Sequence, residues 1–352
     1  GRAERICRSA ETCALSALIT TPAFPVRPPS ACASLTARSL LPLAVGPAMS
    51  ATGFERCPLI IARLIAETDG LETRLDAASA ALAAAGMPVA GAAMLDFCDD
   101  VLEIALPDGS VPGAMAVLDA HFGACDLLVA NHAIEVPQLF VSDMDSTMIG
   151  QECIDELADF AGIKDQVAAI TERAMQGELD FRSALTERVG LLEGLEESAI
   201  DRCLAERITP VEGAATLVAT LKARGCRTVL VTGGFRHFAD PVAEWLGFDR
   251  VVGNRLAVAG GRLSGTLAGP ISDAATKRAT LEEERGLLGD AARVMASGDG
   301  ANDIPMLQAA DYGFAYRAKP VARAAANGRV ERGDLTAVLS LLGIPRTDWV
   351  AG

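Results

Sequence analysis

The sequence has few aromatic residues, few histidines and no hydrophobic run long enough to cross a membrane. Phe, Trp and Tyr together make up 4% of its 352 residues, and the three histidines, His121, His132 and His237, do not cluster. A helix that spans a bilayer needs roughly 18 consecutive apolar residues, so we expect no transmembrane helix. Because the histidines do not cluster, a histidine metal centre is excluded as well.

Basic residues are also in short supply. The chain has 31 Lys and Arg against 46 Asp and Glu, which gives a formal net charge of −15. An acidic surface repels nucleic acid and anionic membranes, so we expect neither as a partner. If the substrate is an anion, the site must supply positive charge locally.

Paired cysteine motifs are missing too. Nine cysteines are scattered along the chain, and none of them forms a CxxC pair. They are Cys7, Cys13, Cys32, Cys57, Cys98, Cys125, Cys153, Cys203 and Cys226. An odd, unpaired set favours reduced, buried cysteines in a cytoplasmic protein over disulfides or zinc ligands.

Apolar residues, by contrast, make up half of the chain, and alanine and glycine are both abundant. This composition is typical of a helix-rich α/β protein, and the length allows about two domains.

Residues 1–48 differ from the rest of the chain in composition, since they contain five arginines, no lysine and two acids. An arginine-rich, acid-poor segment is typical of a transit peptide. The alternative is an extension that precedes the true start of the protein at Met49. We favour this alternative because the chain begins with Gly1 rather than Met, and we expect residues 1–48 to be disordered and without function.

Residues 57–136 have the pattern of a small α/β unit. Strand-like and helical segments follow in a β-α-β-β-α-β order, for example VLEIALP and then VPGAMAVLDAHFG. This order predicts a ferredoxin-like domain. Because it contains no cluster of catalytic residues, we expect either regulation by a small molecule or a structural role that includes assembly into a homodimer.

Residues 137–345 have the pattern of a doubly wound, Rossmann-type α/β domain. Three apolar runs, QLFVSD, RTVLVTGG and ARVMASGDG, each precede a helical pattern and predict parallel strands with ligands at their carboxyl ends. Residues 152–210 are helical in pattern and too long for a simple crossover, so we expect a helical cap over the site. Further on, RLAVAGGRLSGTLAG predicts a β-hairpin that turns at Gly260 and Gly261.

Two acids, Asp143 and Asp145, follow the first of these strands in the string DMDST. Side chains two positions apart on an extended segment point the same way. Such a pair can share a divalent cation, or act as a nucleophile and a proton carrier. An isolated pair of this kind is more often a solvated strand end, so the pair needs support from other motifs.

Further polar groups follow the second and third strands. Thr232 ends the second strand, and the two glycines after it predict an anion-binding turn at a helix start. The third strand leads into SGDGANDIPML, where Asp299 and Asp303 are hard oxygen ligands that suit Mg²⁺. Lys277 lies on a predicted helix; such lysines are usually solvated, but its place among the motifs makes it a candidate phosphate ligand.

These motifs, taken in order, resemble a known family. DMDSTMIGQECIDELA, GELDFRSALTERVGLL, VTGGF and GDGANDIPMLQAA, with AYRAKP downstream, make residues 137–345 similar to the phosphoserine phosphatases of the haloacid dehalogenase-like superfamily. The resemblance implies an Mg²⁺-dependent hydrolase that converts O-phospho-L-serine into L-serine and phosphate, the last step of serine biosynthesis. Two departures are Met144, where Phe is more usual, and Thr232, where Ser is common; both are conservative.

The resemblance also implies catalytic roles. Asp143 is then the nucleophile that forms a phosphoaspartyl intermediate. Asp145 donates a proton to the seryl leaving group and afterwards accepts one from the attacking water. The residues implied around Mg²⁺ are Asp143, Asp145 through its backbone carbonyl, Asp299 and, in support, Asp303.

Substrate contacts are implied in the same way. The residues expected to bind the phosphoryl oxygens are Thr232, Gly233 and Lys277, with Asn302 nearby and Gly234 in support. Glu152 meets the substrate ammonium and Arg188 its carboxylate, which an arginine can hold with two parallel hydrogen bonds. Met175 and Phe181 supply apolar contacts from the cap.

Two rival hypotheses remain. One is a relative that acts on phosphohomoserine or a sugar phosphate, including one that transfers the phosphoryl group to an alcohol. The other is a regulatory protein that binds an amino acid and has no catalytic activity. Every catalytic position of the family pattern is intact, which argues against this second hypothesis.

Overall fold

The computed structural model of the chain describes residues 59–95, 98–175 and 178–352, without the side chains of residues 98–100 and 175. All of these residues belong to one compact unit, Phe54–Gly352. The predicted disordered extension over residues 1–48 lies outside the described residues.

The first part of the described chain is an antiparallel sheet with two helices. Its elements are β1 (Ile60–Ile65), α1 (Leu71–Ala84), β2 (Gly91–Leu95), β3 (Cys98–Leu106), α2 (Val111–Phe122) and β4 (Asp126–Ala130). The strands lie in the order β2-β3-β1-β4, and alternate residues of β1, such as Leu64, pack against Leu82 and Leu118 of the helices. The element order agrees with the predicted one; a separate ferredoxin-like domain over residues 57–136 stays a prediction.

The rest of the chain builds a parallel sheet covered by helices. Its elements are β5 (Leu139–Ser142), α3 (Cys153–Phe160), α4 (Lys164–Met175), α5 (Phe181–Gly190), α6 (Ser198–Arg207), α7 (Ala214–Ala223), β6 (Arg227–Phe235), α8 (Arg236–Leu246), β7 (Arg250–Asn254), β8 (Leu256–Ala259), β9 (Arg262–Leu267), α9 (Ala274–Leu288), β10 (Val294–Gly298), α10 (Ile304–Ala309), β11 (Tyr312–Tyr316), α11 (Pro320–Ala325), β12 (Gly328–Val330) and α12 (Ala337–Leu341). The strand order is β12-β11-β10-β5-β6-β7, with every pair parallel. The three strands predicted to carry the site, β5, β6 and β10, are therefore neighbours, and their carboxyl ends meet at one edge.

The two sheets are continuous, because β12 pairs with β4 in the antiparallel sense. The junction is held by polar contacts as well as by the ladder. Asp126 accepts hydrogen bonds from the backbone N–H groups of residues 331–333, at 2.7–3.0 Å. Arg329 is 1% exposed; it pairs with Asp119 of α2 and donates to the Cys125 carbonyl. The predicted domain boundary at residue 137 lies in the segment between β4 and β5 and stays a prediction.

Helices α3 to α6 lie within the predicted insertion of residues 152–210. Two chain segments, residues 148–151 and 209–211, connect these helices to the sheet, and hydrogen bonds join the two segments. The backbone N–H of Val211 donates to the Met148 carbonyl at 3.0 Å, and the Gln151 side chain makes two hydrogen bonds with Thr209. The cap is therefore anchored to the sheet by a narrow two-stranded connection beside Asp145.

The predicted hairpin is present as β8 and β9. Gly260 and Gly261 at its turn have φ of 61° and 74°, which residues with a Cβ rarely adopt. The hairpin packs beside the cap, since Glu196 forms a β-bridge with Arg262.

None of the helices in the described part of the chain combines the length and apolar character that a membrane span requires. Within the same residues, Cys125, Cys153, Cys203 and Cys226 are free and buried, as the cysteine pattern predicts.

Candidate active site

Asp143 lies directly after β5 and is 3% exposed. The ammonium of Lys277, which projects from α9, lies 2.7 Å from Asp143 Oδ1 and 2.6 Å from Asp303 Oδ1. Burial and then the charge of Asp303 raise the pKa of Asp143, and Lys277 opposes that rise. Burial alone lowers the pKa of Lys277, but the two carboxylates outweigh it and raise the pKa, so the lysine stays charged.

The second acid of the motif has different partners. Asp145 accepts a hydrogen bond from the Cys153 N–H at 2.9 Å and one from the Thr232 hydroxyl at 3.2 Å. Burial raises its pKa, and these hydrogen bonds oppose the rise. Gly234 is required beside it, because a Cβ there would lie 2.5 Å from Asp145 Oδ2. Hydrogen bonds hold this carboxyl group in place, and no cation among the described residues forms a salt bridge with it.

The loop after β10 brings two more acids to the same edge. Asp303 Oδ2 accepts the backbone N–H groups of Asp299 and Gly300, at 3.1 and 3.0 Å. A Cβ on Gly298 would lie 2.5 Å from the Asp303 carboxyl carbon, so only glycine allows this tight turn. Asn302 lies in the short 3₁₀ turn of the same loop.

Carboxylate oxygens of Asp143, Asp299 and Asp303 lie within 4.8 Å of one another. The lysines in contact with them are Lys277 and, at 3.6 Å from Asp299, Lys319. Because Asp145 adds a fourth buried carboxyl group nearby, acids outnumber these cations. Hard oxygen donors with excess negative charge fit a divalent cation. The Asp145 carboxylate is not part of this group, and metal binding by its backbone carbonyl stays a prediction.

Thr232 and the two glycines after it lie beside Asp145. The Thr232 hydroxyl accepts the N–H of Gly234 at 2.8 Å. The strand does not end at Thr232 as predicted; β6 continues to Phe235, with an irregular register after Val231. The glycines therefore lie in an irregular strand end before α8 rather than at a helix start, because the chain opens away from the ladder there.

The cap carries the residues predicted to contact an amino acid. Glu152 accepts a hydrogen bond from Ser146 at 2.9 Å; desolvation in the site and repulsion by Asp145 raise its pKa to about 7. Arg188 donates through Nε to the Ala184 carbonyl at 3.3 Å. Burial lowers the pKa of Arg188, while Asp155 and Glu152 oppose the change.

One cavity of about 960 Å³ joins these groups. The predicted site residues that line it are Asp143, Asp145, Glu152, Phe181, Arg188, Thr232, Gly233, Gly234, Asp299 and Asn302. Lys277 and Asp303 do not line it; Lys277 is buried behind Asp143 and contacts both aspartates. Phe181 lies over Gly233, with a ring carbon 3.2 Å from where a Cβ would be. Met175 ends α4, and its side chain lies outside the described residues.

Comparisons with known proteins identify the family of the chain. A family model for haloacid dehalogenase-like hydrolases matches residues 140–308. A phosphoserine phosphatase from Albidiferax ferrireducens is 45% identical over 210 residues, which make up 58% of this chain and 89% of that protein. The chain belongs to the phosphoserine phosphatase family of haloacid dehalogenase-like hydrolases. It is therefore a phosphatase, and the resemblance predicted from the motifs is confirmed.

Solved structures confirm the fold of this phosphatase. A HAD family hydrolase from Salmonella enterica serovar Typhi has a TM-score of 0.69 at 27% identity and covers 81% of this chain and 98% of its own. A phospho-aspartyl intermediate analogue of a phosphoserine phosphatase has a TM-score of 0.54 at 37% identity, covering 58% and 99%. The predicted doubly wound α/β core is therefore confirmed.

Sequence reasoning missed several residues of the phosphatase site. Arg182 of the cap donates two hydrogen bonds to Asp273, the N-cap residue of α9, at 2.6 and 3.1 Å. Lys319 lies beside Asp299, and Asp155 lies in the cavity wall. Lys319 lies in the segment AYRAKP, which offered a signal for it. Arg182 and Asp155 lie within two of the other motifs and Asp273 lies outside them, but nothing in the sequence distinguishes these three from the charged residues around them.

Proposed function

We propose that this phosphatase hydrolyses O-phospho-L-serine to L-serine and phosphate. The observation that carries the proposal is the distribution of charge in one cavity. Asp143 lines the cavity with Lys277 in contact behind it, and Glu152 and Arg188 line it from the cap. A small amino acid with a phosphorylated side chain has a phosphate, an ammonium and a carboxylate to match these three groups.

Mg²⁺ is the proposed cofactor. Asp143, Asp299 and the Asp145 carbonyl would hold it, with Asp303 in support, since the clustered oxygens of this set fit a hard cation. When bound, Mg²⁺ supplies positive charge that stabilises the negative charge on the phosphoryl oxygens.

Asp143 acts as the nucleophile in this proposal. One of its carboxylate oxygens forms a bond to phosphorus while the bond from phosphorus to the seryl oxygen breaks. Lys277, 2.7 Å from Asp143 and 1% exposed, holds the carboxylate in place and supplies a buried positive charge that stabilises the negative charge developing beside it. The products of this half-reaction are L-serine and a phosphoaspartyl group.

Asp145 carries the proton. Burial raises its pKa, which favours the protonated form that this role needs. In the proposal this form donates a proton to the leaving seryl oxygen, which is a poor leaving group as an alkoxide. The carboxylate left behind then accepts a proton from the water that attacks phosphorus, releasing phosphate and restoring Asp143. Its hydrogen bonds to Cys153 and Thr232 fix the orientation in both steps.

Specificity for the amino acid comes from the cap. Glu152 would pair with the substrate ammonium, and the guanidinium of Arg188 would hold the carboxylate with two hydrogen bonds. This assignment makes the reaction the last step of serine biosynthesis. The buried, free cysteines support a cytoplasmic setting.

A substrate panel tests the proposal. We expect purified protein with Mg²⁺ to prefer O-phospho-L-serine over sugar phosphates and over a phosphomonoester that lacks the ammonium group. Arg188→Lys should raise the KM for phosphoserine by about tenfold and leave that for a sugar phosphate unchanged, because a lysine cannot make two parallel bonds. Equal activity on phosphoserine and sugar phosphates would contradict the substrate assignment, and phosphoryl transfer to added alcohols would contradict hydrolysis.

A further inference from the structure

Asn254, the last residue of β7, is a buried amide beside the site. It is 1% exposed, and its side chain makes three hydrogen bonds to backbone groups. Nδ2 donates to the Gly233 carbonyl at 2.8 Å and to the Ser272 carbonyl at 3.1 Å. Oδ1 accepts the Ser272 N–H at 2.7 Å. Both donor hydrogens of the amide and its oxygen are therefore used.

The two segments that Asn254 joins are the ones that lead to the phosphoryl group. Gly233 lies between Thr232 and Gly234 in the irregular end of β6. Ser272 immediately precedes Asp273, the N-cap of α9, and Lys277 follows one turn later in that helix. The same two segments are also joined directly, because the Ser272 hydroxyl donates a hydrogen bond to the Thr232 carbonyl at 2.9 Å.

Backbone pairing cannot hold the Gly233 segment by itself. The register between β6 and β7 is regular up to Val231 and resumes only at Phe235, which pairs with Asn254. In the gap between these points the ladder is interrupted, so carbonyls there need other partners. The Asn254 amide supplies the partner for Gly233 and, at the same time, binds the segment that starts α9.

We propose that Asn254 is a positioning residue for the phosphoryl subsite. It fixes the Thr232–Gly234 segment relative to the start of α9, so that Thr232, Gly233 and Lys277 converge on one phosphoryl group. The inference rests on the phosphoryl contacts of the proposed function, but not on the identity of the rest of the substrate. Asn254 does not line the cavity and touches no reacting atom.

Asn327 offers a matched control within the same chain. Its Nδ2 donates to the carbonyls of Val129 and Asp311, at 3.0 and 2.9 Å, and its Oδ1 accepts the Gly313 N–H at 2.7 Å. It therefore has the same number and kind of hydrogen bonds, but at the junction of β4, β11 and β12. Loss of either amide removes three hydrogen bonds to the backbone, but only the Asn254 amide lies beside the site.

The test measures kcat and KM for p-nitrophenyl phosphate and the inhibition constant of inorganic phosphate, with full-length protein and Mg²⁺. Asn254→Ala should lower kcat/KM and weaken phosphate inhibition by about tenfold or more, since a displacement of about 1 Å can cost far more than that. Asn327→Ala should change both by less than about twofold, although thermal melting should show that both variants are less stable. Asn254→Ser leaves a smaller cavity and serves if the alanine variant does not fold; its effect should be intermediate.

Wild-type phosphate inhibition in a folded Asn254 variant would overturn the proposal. Equal losses in the Asn254 and Asn327 variants would also overturn it, because general destabilisation would then explain both. Neither probe contains an amino acid, so failure of the phosphoserine assignment gives a separate result: a wild-type enzyme without preference for phosphoserine.

Discussion

Replacement of Lys277 by methionine is the sharpest test of the charge balance in this site. Met has similar length and no charge, so Asp143 and Asp303 lose a cation that lies 2.7 and 2.6 Å away. All three side chains are at most 5% exposed, so solvent cannot replace the lysine. Breaking a buried ion pair on one side typically costs about 3–5 kcal/mol, and we expect a loss of unfolding free energy in that range.

Urea unfolding in EDTA at neutral pH measures this loss without a contribution from bound metal. Lys222→Met is the control: Lys222 lies 2.8 Å from Asp249, but the two side chains are 36% and 30% exposed, so we expect a loss below about 1 kcal/mol. In an Asp303→Asn background, Lys277→Met should lower the unfolding free energy by at least about 1 kcal/mol less than it does in the wild type. The reason is that the substitution then leaves only one aspartate, Asp143, without its cation. Equal losses for Lys277 and Lys222, or no coupling to Asp303, would refute the charge-balance reasoning.

Three further predictions concern catalysis. Asp143→Asn should abolish turnover while phosphoserine still binds, as measured by activity and calorimetry; retained turnover would exclude Asp143 as the nucleophile. Desolvation and Asp145 raise the pKa of Glu152 to about 7, so its carboxylate is lost as the pH falls through that value. The KM for phosphoserine should then rise more steeply than the KM for a phosphomonoester without an ammonium group, and identical pH profiles for the two would contradict the assignment. Asp273→Asn keeps an N-cap for α9 but weakens the Arg182 pair, so it should raise KM a few-fold with little change in melting temperature, whereas Asp273→Ala should also lose about 1 kcal/mol of stability; equal melting temperatures would contradict the capping role.

Much of the architecture could be predicted from local patterns. The runs that became β5, β6 and β10 are apolar and continuous, as expected for strands buried on both faces, and each ends in polar residues. The hairpin turn was predictable because two consecutive glycines suit positive φ angles. The end of β6 was predicted wrongly, because a glycine pair suggests a turn and the sequence does not reveal how neighbouring strands open around it.

The order of motifs along the chain was enough to identify the family and the acids that meet at the sheet edge, because these residues follow strands whose carboxyl ends must lie together. Only the tertiary structure decided how charge is arranged there. The burial of Lys277 between two aspartates, the Arg182–Asp273 pair and the Asn254 amide join segments far apart in sequence, and their residue types are ordinary in isolation. Such contacts depend on strand register and on the position of the cap, which no local pattern encodes.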